Sequence, residues 1–178
     1  MSQAPIAYQI LKTYDDFEVR LYTTETILDA NIKVPFIDAG RKGFRKLLRY
    51  IRGANRTNQQ IAMCKPVLTV PAPASTYVNG THPYSLQFFL PAPWTVDTAP
   101  LPNDSRLTIQ SVPARKIAAL RYAGFWSWDN FSHYSEKLQN SLKRANLDTV
   151  GTPSLARYNS PNWPLWFMRR NEIWIEIS

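Results

Sequence analysis

The side chains that could bind a metal ion or act as a nucleophile are few and widely separated in this sequence. Cys64 is the single cysteine, so a disulfide within the chain is impossible. The two histidines, His82 and His133, lie far apart, and no group of cysteines and histidines has the spacing of a zinc site. No Gly-x-Ser-x-Gly, Walker or dinucleotide-binding motif is present. We therefore do not predict an enzyme.

Positive charge is concentrated in residues 41–52. The chain has a net charge of +8, and much of the excess lies in six residues: Arg41, Lys42, Arg45, Lys46, Arg49 and Arg52. Such a patch could lie along phosphates or at an anionic membrane surface. No helix-turn-helix, RNP or zinc-finger signature accompanies it. Nucleic acid is therefore not a predicted partner, whereas a weak contact with a membrane surface stays open.

The basic residues belong to a predicted amphipathic helix over Phe36–Arg52. Five residues recur at helical spacing along one side of it: Gly40, Phe44, Leu47, Leu48 and Ile51. Gly53 is a suitable residue to end the helix. A second helix is predicted to begin after an N-cap at Ser127 and to reach Ala145.

Strand-like segments precede and follow each predicted helix. They are Phe17–Tyr22, Thr26–Val34, Pro66–Val70, Tyr84–Leu90, Arg106–Ser111, Arg115–Ala123, Ser154–Asn159 and Glu172–Ile177, with a short one near Leu165–Met168. Each half of the chain thus reads strand, strand, helix, strand, strand, which predicts two ββαββ units related by a pseudo-twofold axis. The expected fold is α+β: a curved antiparallel sheet or distorted β-barrel with two helices packed on it and a groove between helix and sheet.

Length and composition favour one domain. The chain has 178 residues, of which 44% are apolar and 13% aromatic, enough for one sizeable core. We expect a single domain over residues 1–178, with its core at about 8–177. Residues 1–7 lack the basic and apolar regions of a signal peptide, and no run approaches the roughly 20 apolar residues of a membrane span. A cytoplasmic protein is predicted.

Six segments, in order, resemble motifs of the SOUL/haem-binding-protein family. Residues 14–22 read YDDFEVRLY and resemble YEvRxY, and residues 43–55 read GFRKLLRYIRGAN and resemble GFxxLxxYIxGxN. Residues 61–67 (IAMCKPV) resemble KIxMTxPV, residues 85–91 (SLQFFLP) resemble xxxFxLP, and residues 100–104 (PLPND) resemble PxPxD. Residues 169–174, RRNEIW, are similar to the terminal RRNEVW. The resemblance spans residues 8–177. Each motif alone is weakly specific, but six motifs in the same order are a specific signal of the family.

The resemblance implies non-covalent binding of haem or a related tetrapyrrole in a hydrophobic groove beside the first helix, by a carrier, buffer or sensor. The positions that match the family's ring-holding surface are Arg41, Phe44, Leu48 and Arg49. Phe44 and Leu48, one turn apart, can meet a flat ring together. The two arginines can pair with propionates, and Met63 can add a polarizable contact.

Two departures from the family pattern affect the expected mode of binding. Leu21 stands where some members have a histidine proposed to bind iron, and residues 162–166 lack a lysine that another branch directs at a propionate. Trp163 and Trp166 are expected to cover the ring instead. His133 and Cys64 are weakly supported iron ligands, so no metal site is predicted. The ring and its carboxylates, and not the iron, are the expected recognition elements.

Other interpretations stay open from the sequence. Phe44, Leu48 and Met63 could be core residues, and the two arginines a solvated helix flank. Residues 169–172 could close a hairpin, with Asn171 in the turn and Glu172 paired to an arginine. The architecture also resembles GyrI-like domains, so the alternative function is a small-molecule binding protein or hydrolase with another hydrophobic ligand. Three carboxylates could line its groove: Glu18, Glu136 and Glu172. A raised pKa of one of them would favour this alternative.

Overall fold

The computed structural model describes residues 6–33, 36–71, 83–159 and 168–178. Within these ranges the chain forms two helices, α1 (Phe36–Ile51) and α2 (Trp128–Arg144), and nine strands: β1 (Gln9–Thr13), β2 (Glu18–Tyr22), β3 (Glu25–Lys33), β4 (Val67–Pro71), β5 (Pro83–Leu90), β6 (Leu107–Val112), β7 (Arg115–Tyr122), β8 (Ser154–Arg157) and β9 (Asn171–Ile177). Every neighbouring pair in the sheet is antiparallel. The predicted α+β class is confirmed, and the eight longer predicted strands and both helices lie close to observed elements. The short strand predicted near Leu165–Met168 falls almost entirely outside the described residues, and β1 was not predicted as a separate strand.

The strands form one sheet in the order β1-β2-β7-β9-β8-β4-β5-β3-β6. Apart from β1, this order reads the same from both edges when each strand is exchanged for its counterpart in the other half. The counterparts are β2 and β6, β3 and β7, β4 and β8, and β5 and β9. The symmetric order agrees with two repeated ββαββ units, and it places β4 beside β8 at the centre.

The predicted barrel is wrong, because the sheet does not close. Among the described strands, β1 and β6 occupy opposite edges, whereas a barrel would require its edge strands to pair. All five residues of β1 are exposed, and its register shifts between Ile10 and Lys12. Such an irregularity bends an edge strand and discourages pairing with another chain.

Helix α2 begins and ends as the sequence predicts. The Ser127 hydroxyl accepts a hydrogen bond from the backbone N–H of Asn130 at 3.2 Å, which satisfies one of the free donors of the first turn. Asp129 lies in the first turn and Arg144 in the last, where their charges suit the helix dipole. Neither helix, as far as the described residues extend, is long and apolar enough to cross a membrane.

Both helices pack on the same face of the sheet. Helix α1 lies against β3 and β5, and α2 lies against β7 and β9, so β4 and β8 run between them. We call the buried residues on this side the helix-face core; they include Leu47, Leu138, Phe88 and Ile173. The buried residues on the other side form the opposite-face core: Tyr22, Ile27, Cys64, Leu68, Phe89, Ile117, Ala119, Ala156, Tyr158 and Trp174.

Candidate ligand-binding site on the helix face

Helix α1 has a half-buried apolar flank above strand β5. Leu47 is fully buried in the helix-face core, whereas Phe44 and Leu48 are only partly buried against it. The Phe44 ring meets Phe88 edge-on, with centroids 5.7 Å apart. Phe44 and Leu48 therefore pack on the core and also keep part of their apolar surface exposed, so their predicted contact with a ligand stays a prediction.

The predicted arginines lie on the same helix. Arg49 is exposed, as is Arg45 one turn earlier. Arg41 belongs to α1, but its side chain lies outside the described residues. Arg49 is thus free to reach the acidic rim of a ligand or simply to remain solvated.

The connection after α1 is held by a buried asparagine. Gly53, with φ of +105°, ends the helix by donating its N–H to the Tyr50 carbonyl at 3.0 Å. The Asn55 side chain donates to the same carbonyl at 3.1 Å and to the Gln59 carbonyl at 2.7 Å. This clamp leads the chain back to Met63, which is half-buried against the helix-face core. The segment of residues 43–55 therefore has a fixed turn at the end of α1.

The floor between the helices contains a row of cross-strand neighbours. The strand registers place six residues side by side across the sheet, in the order Leu28, Phe88, Val67, Arg157, Asn171 and Tyr122. Directly paired residues of antiparallel strands project to the same face, so this row lies under the helices. Arg157 is two strands from Phe88, roughly 10 Å at the usual strand spacing. A cation therefore lies in an otherwise largely apolar floor.

Arg157 is buried, with 7% of its surface exposed. Burial lowers the pKa of its guanidinium to about 10, so the group remains charged at neutral pH. It donates one hydrogen bond, from Nη2 to the Thr69 hydroxyl. Its Nε has no hydrogen-bond partner among the described residues, and no described carboxylate lies within ion-pair distance. The positive charge is thus left without a matching anion in the described part of the chain.

Trp126, in the segment before α2, covers this guanidinium. Its ring centroid lies 5.0 Å from Arg157 and 4.8 Å from Arg169, both measured to the guanidinium carbon. The indole N–H donates to the Asn171 side chain at 2.7 Å, and Asn171 in turn donates to the Gly124 carbonyl at 3.0 Å. Asn171 is therefore the first residue of β9 and an anchor for Trp126, and not the turn residue that the sequence suggested.

The opposite face carries a buried ion cluster of a different kind. Glu172 is fully buried and accepts hydrogen bonds from the side chains of Arg20 at 2.7 Å, Arg170 at 2.7 Å, Tyr158 at 2.9 Å and Trp174 at 2.8 Å. Burial alone would raise the pKa of Glu172, but these bonds and the Arg20 charge outweigh it and hold the pKa at about 2. Glu172 is thus a satisfied structural anion, as one interpretation of the sequence expected.

The other glutamates considered from the sequence do not line the helix-face floor. Glu18 bonds Arg20 at 2.8 Å beside the opposite-face cluster, and Glu136 is exposed on α2. The sequence analysis did not single out Glu25. Burial raises its pKa to about 7, although Arg115 lies 3.6 Å away and lowers it. Glu25 faces the same side as Tyr22, because Arg115 pairs with Tyr22, and so it lies away from the groove.

The two weakly supported iron ligands are not brought together. Cys64 packs in the opposite-face core, where burial raises the pKa of its thiol. His133 is exposed on α2, with its ring 4.9 Å from Tyr134. Within the described ranges, no three His, Cys, Asp or Glu side chains are grouped as metal ligands. Trp163, Trp166 and His82 lie outside the described residues.

The sequence analysis missed Arg157 and Trp126. A signal for Arg157 was present, because Leu155 and Arg157 alternate within a predicted strand and therefore share a face. A charge at the inward position of a short apolar strand is unusual. Trp126 follows a predicted strand end and precedes a helix cap, and its contacts depend on residues far away in the chain.

The chain is similar in sequence to proteins of one described family. The sequence model of the family described as SOUL heme-binding protein matches residues 4–176. Heme-binding protein 1 of Xenopus laevis is 24% identical over 161 residues, covering 89% of this chain and 82% of that protein. Its counterpart in Xenopus tropicalis matches with the same identity and coverage.

Solved structures share the architecture at low sequence identity. The EcmrR C-terminal domain has a TM-score of 0.70 at 11% identity, over 96% of this chain and 98% of that one. A hydrolase from Listeria innocua has a TM-score of 0.65 at 10% identity, over 94% of each chain. At such identities these structures establish the fold alone.

Proposed function

Because the chain belongs to the SOUL heme-binding protein family, we propose that it binds haem or a related tetrapyrrole non-covalently, in the helix-face groove beside α1. The observation that carries the proposal is the half-buried state of Phe44 and Leu48. Side chains that only packed the core would be covered, as Leu47 is. Here an apolar flank one helical turn long stays open to a flat ring beside an exposed arginine, Arg49.

Each part of the ligand has a matching group. Phe44 and Leu48 would contact the face of the ring, and Met63 would add a polarizable contact from the segment after α1. Arg41 and Arg49 would pair with propionates at the rim. Trp163 and Trp166, outside the described residues, are proposed to cover the ring. Haem itself would supply a flat apolar surface and two carboxylates, which these side chains bind and orient.

The proposal does not include an iron ligand. Cys64 lies in the opposite-face core and His133 on the exposed side of α2, so neither is placed beside Phe44. Ring burial and propionate pairing suffice on general grounds: roughly −0.3 kcal/mol per heavy atom over about 40 atoms gives about −12 kcal/mol, a nanomolar affinity. Metal-free porphyrins should therefore bind nearly as well as haem. Such a protein would act as a carrier, buffer or sensor and not as an enzyme.

Titration of the purified protein with hemin and with metal-free protoporphyrin tests the proposal. The Soret band reports the ligand, and quenching of the six tryptophans reports the protein. We expect saturable one-to-one binding of both. Phe44→Ala and Arg49→Glu should each weaken it, Phe44→Ala by about tenfold or more since it removes most of one aromatic contact.

Lys143→Glu provides the matched control for Arg49→Glu, because it makes the same charge reversal at an exposed position on the other helix. It should leave both affinities unchanged. Binding of hemin alone would reveal an iron ligand and refute recognition by ring shape. Absence of saturable binding of either porphyrin would refute the proposed function.

A further inference from the structure

We propose that Arg157 is an inner anchor for a carboxylate of the ligand, so that the groove selects tetrapyrroles with a free acid on a side arm that reaches the floor. This inference rests on the proposed function and extends it to a residue that belongs to none of the family-like motifs in the sequence. It rests on the position of Arg157, its missing anion and its neighbours.

The two most buried of the described arginines have different surroundings. Arg20, with 4% of its surface exposed, is paired with Glu172 at 2.7 Å and Glu18 at 2.8 Å. Arg157, with 7% exposed, has a hydroxyl and an aromatic ring, but no carboxylate among the described residues. A buried charge is strongly unfavourable unless it is paired, and a ring face compensates only part of that cost. An anion from outside the described chain would complete the site.

The placement of Arg157 suits an arm attached to a ring held by α1. Phe44 contacts Phe88, and Phe88, Val67 and Arg157 are consecutive neighbours in the cross-strand row. A ring against Phe44 and Leu48 could therefore turn one edge and its side arm toward Arg157, whose backbone lies roughly 10 Å from that of Phe88. The two propionates of protoporphyrin lie on adjacent pyrroles at one edge of the ring, so Arg157 would bind the inner one and leave the other for Arg49 at the rim.

Arg157 lies at a strand end, next to a partly buried aromatic ring. It is the last residue of β8, and Trp126, which covers it, is itself only partly buried. A ligand acid would have to displace the Trp126 ring to reach the unpaired Nε from that side. The Arg169 guanidinium lies against the same indole and places a second positive charge near Arg157.

Comparison of metal-free protoporphyrin with its dimethyl ester, in the same detergent, tests the anchor. The wild-type protein should prefer the free acid by about 10- to 100-fold, the range for charged hydrogen bonds. Arg157→Met, which is similar in length but uncharged, should lose a clear part of that preference, because Arg49 would still pair with the other acid, and should keep its affinity for the ester. Arg121→Met, an exposed arginine on the opposite face, is the control and should behave as wild type.

Thermal unfolding of the ligand-free protein separates an anchor from a structural role. Removal of an unpaired buried charge should leave the Tm of Arg157→Met equal to or above that of the wild type, while the increase in Tm on adding the free acid should shrink. If Arg157→Met fails to fold, Arg157→Lys serves instead, because it keeps the charge and loses the planar donor array. It should show a reduced preference for the free acid.

The outcomes are distinguishable from a failure of the proposed function. If the wild type binds the acid and the ester equally, or if the Arg157 variants keep the full preference, the anchor is refuted and tetrapyrrole binding stands. If the wild type binds neither porphyrin, the proposed function fails, and the anchor fails with it.

Discussion

Replacement of Glu172 by glutamine should strongly destabilise the protein, whether or not a ligand is present. The carboxylate lies at the centre of four side-chain donors and is fully buried. Glutamine keeps one acceptor oxygen, but its amide N–H₂ would face a donor. The guanidinium of Arg20 would also lose the negative charge of its main partner. Breaking a buried ion pair on one side costs about 3 to 5 kcal/mol. That is a large part of the roughly 5 to 15 kcal/mol available to a domain.

Urea unfolding followed by circular dichroism measures this effect at neutral pH. Glu18→Gln is the control, because the Glu18 side chain is 31% exposed and touches the same arginine. It should cost about 1 kcal/mol or less. A loss below about 1 kcal/mol for Glu172→Gln, or one equal to that of Glu18→Gln, would contradict the assignment of Glu172 as the buried anion that holds the opposite face together.

Two further predictions concern pH and the end of α1. Because burial raises the pKa of Glu25 from 4.5 to about 7, the folded state binds more protons than the unfolded state in that window, and stability should fall as the pH rises through it. Glu25→Gln should remove about 2 kcal/mol of this fall between pH 5 and pH 8, measured by urea unfolding at both; an unchanged pH dependence would refute the effect. Gly53→Ala should cost about 1 to 3 kcal/mol, because φ is +105° and the new Cβ would lie 3.2 Å from the Asn58 carbonyl oxygen. An unchanged Tm would show that the turn relaxes.

Local features of the fold could be predicted from the sequence. The cap at Ser127 and the stop at Gly53 follow from short-range chemistry, and both occur in the structure. The repeated order of strands and helices was also readable, since it depends only on periodicity. Whether the sheet closes could not be predicted, because closure depends on the pairing of β1 with β6. These strands are almost a hundred residues apart, and neither has a sequence pattern that predicts which strand it pairs with.

The site was only partly predictable for a related reason. The motif around Phe44 and Leu48 predicted one wall of the proposed groove, because both residues lie on one continuous helix. The role of Arg157 could not be predicted, because it depends on the side chains that surround the guanidinium. Those neighbours come from β4, β8 and β9 and are known only in the folded protein. The side chains at Trp163 and Trp166 lie outside the described residues, so their roles stay predictions.

The strand order also determines how the chain must fold. Each half gives its first strand to the other: β2 pairs with β7, so that Glu18 meets Ala119, and β6 pairs with β3, so that Ile109 meets Leu28. Each half therefore contains a strand that pairs with a strand of the other half. Since these contacts join segments far apart in sequence, the chain should fold as one cooperative unit and on the slower, millisecond-to-second scale of proteins rich in non-local contacts.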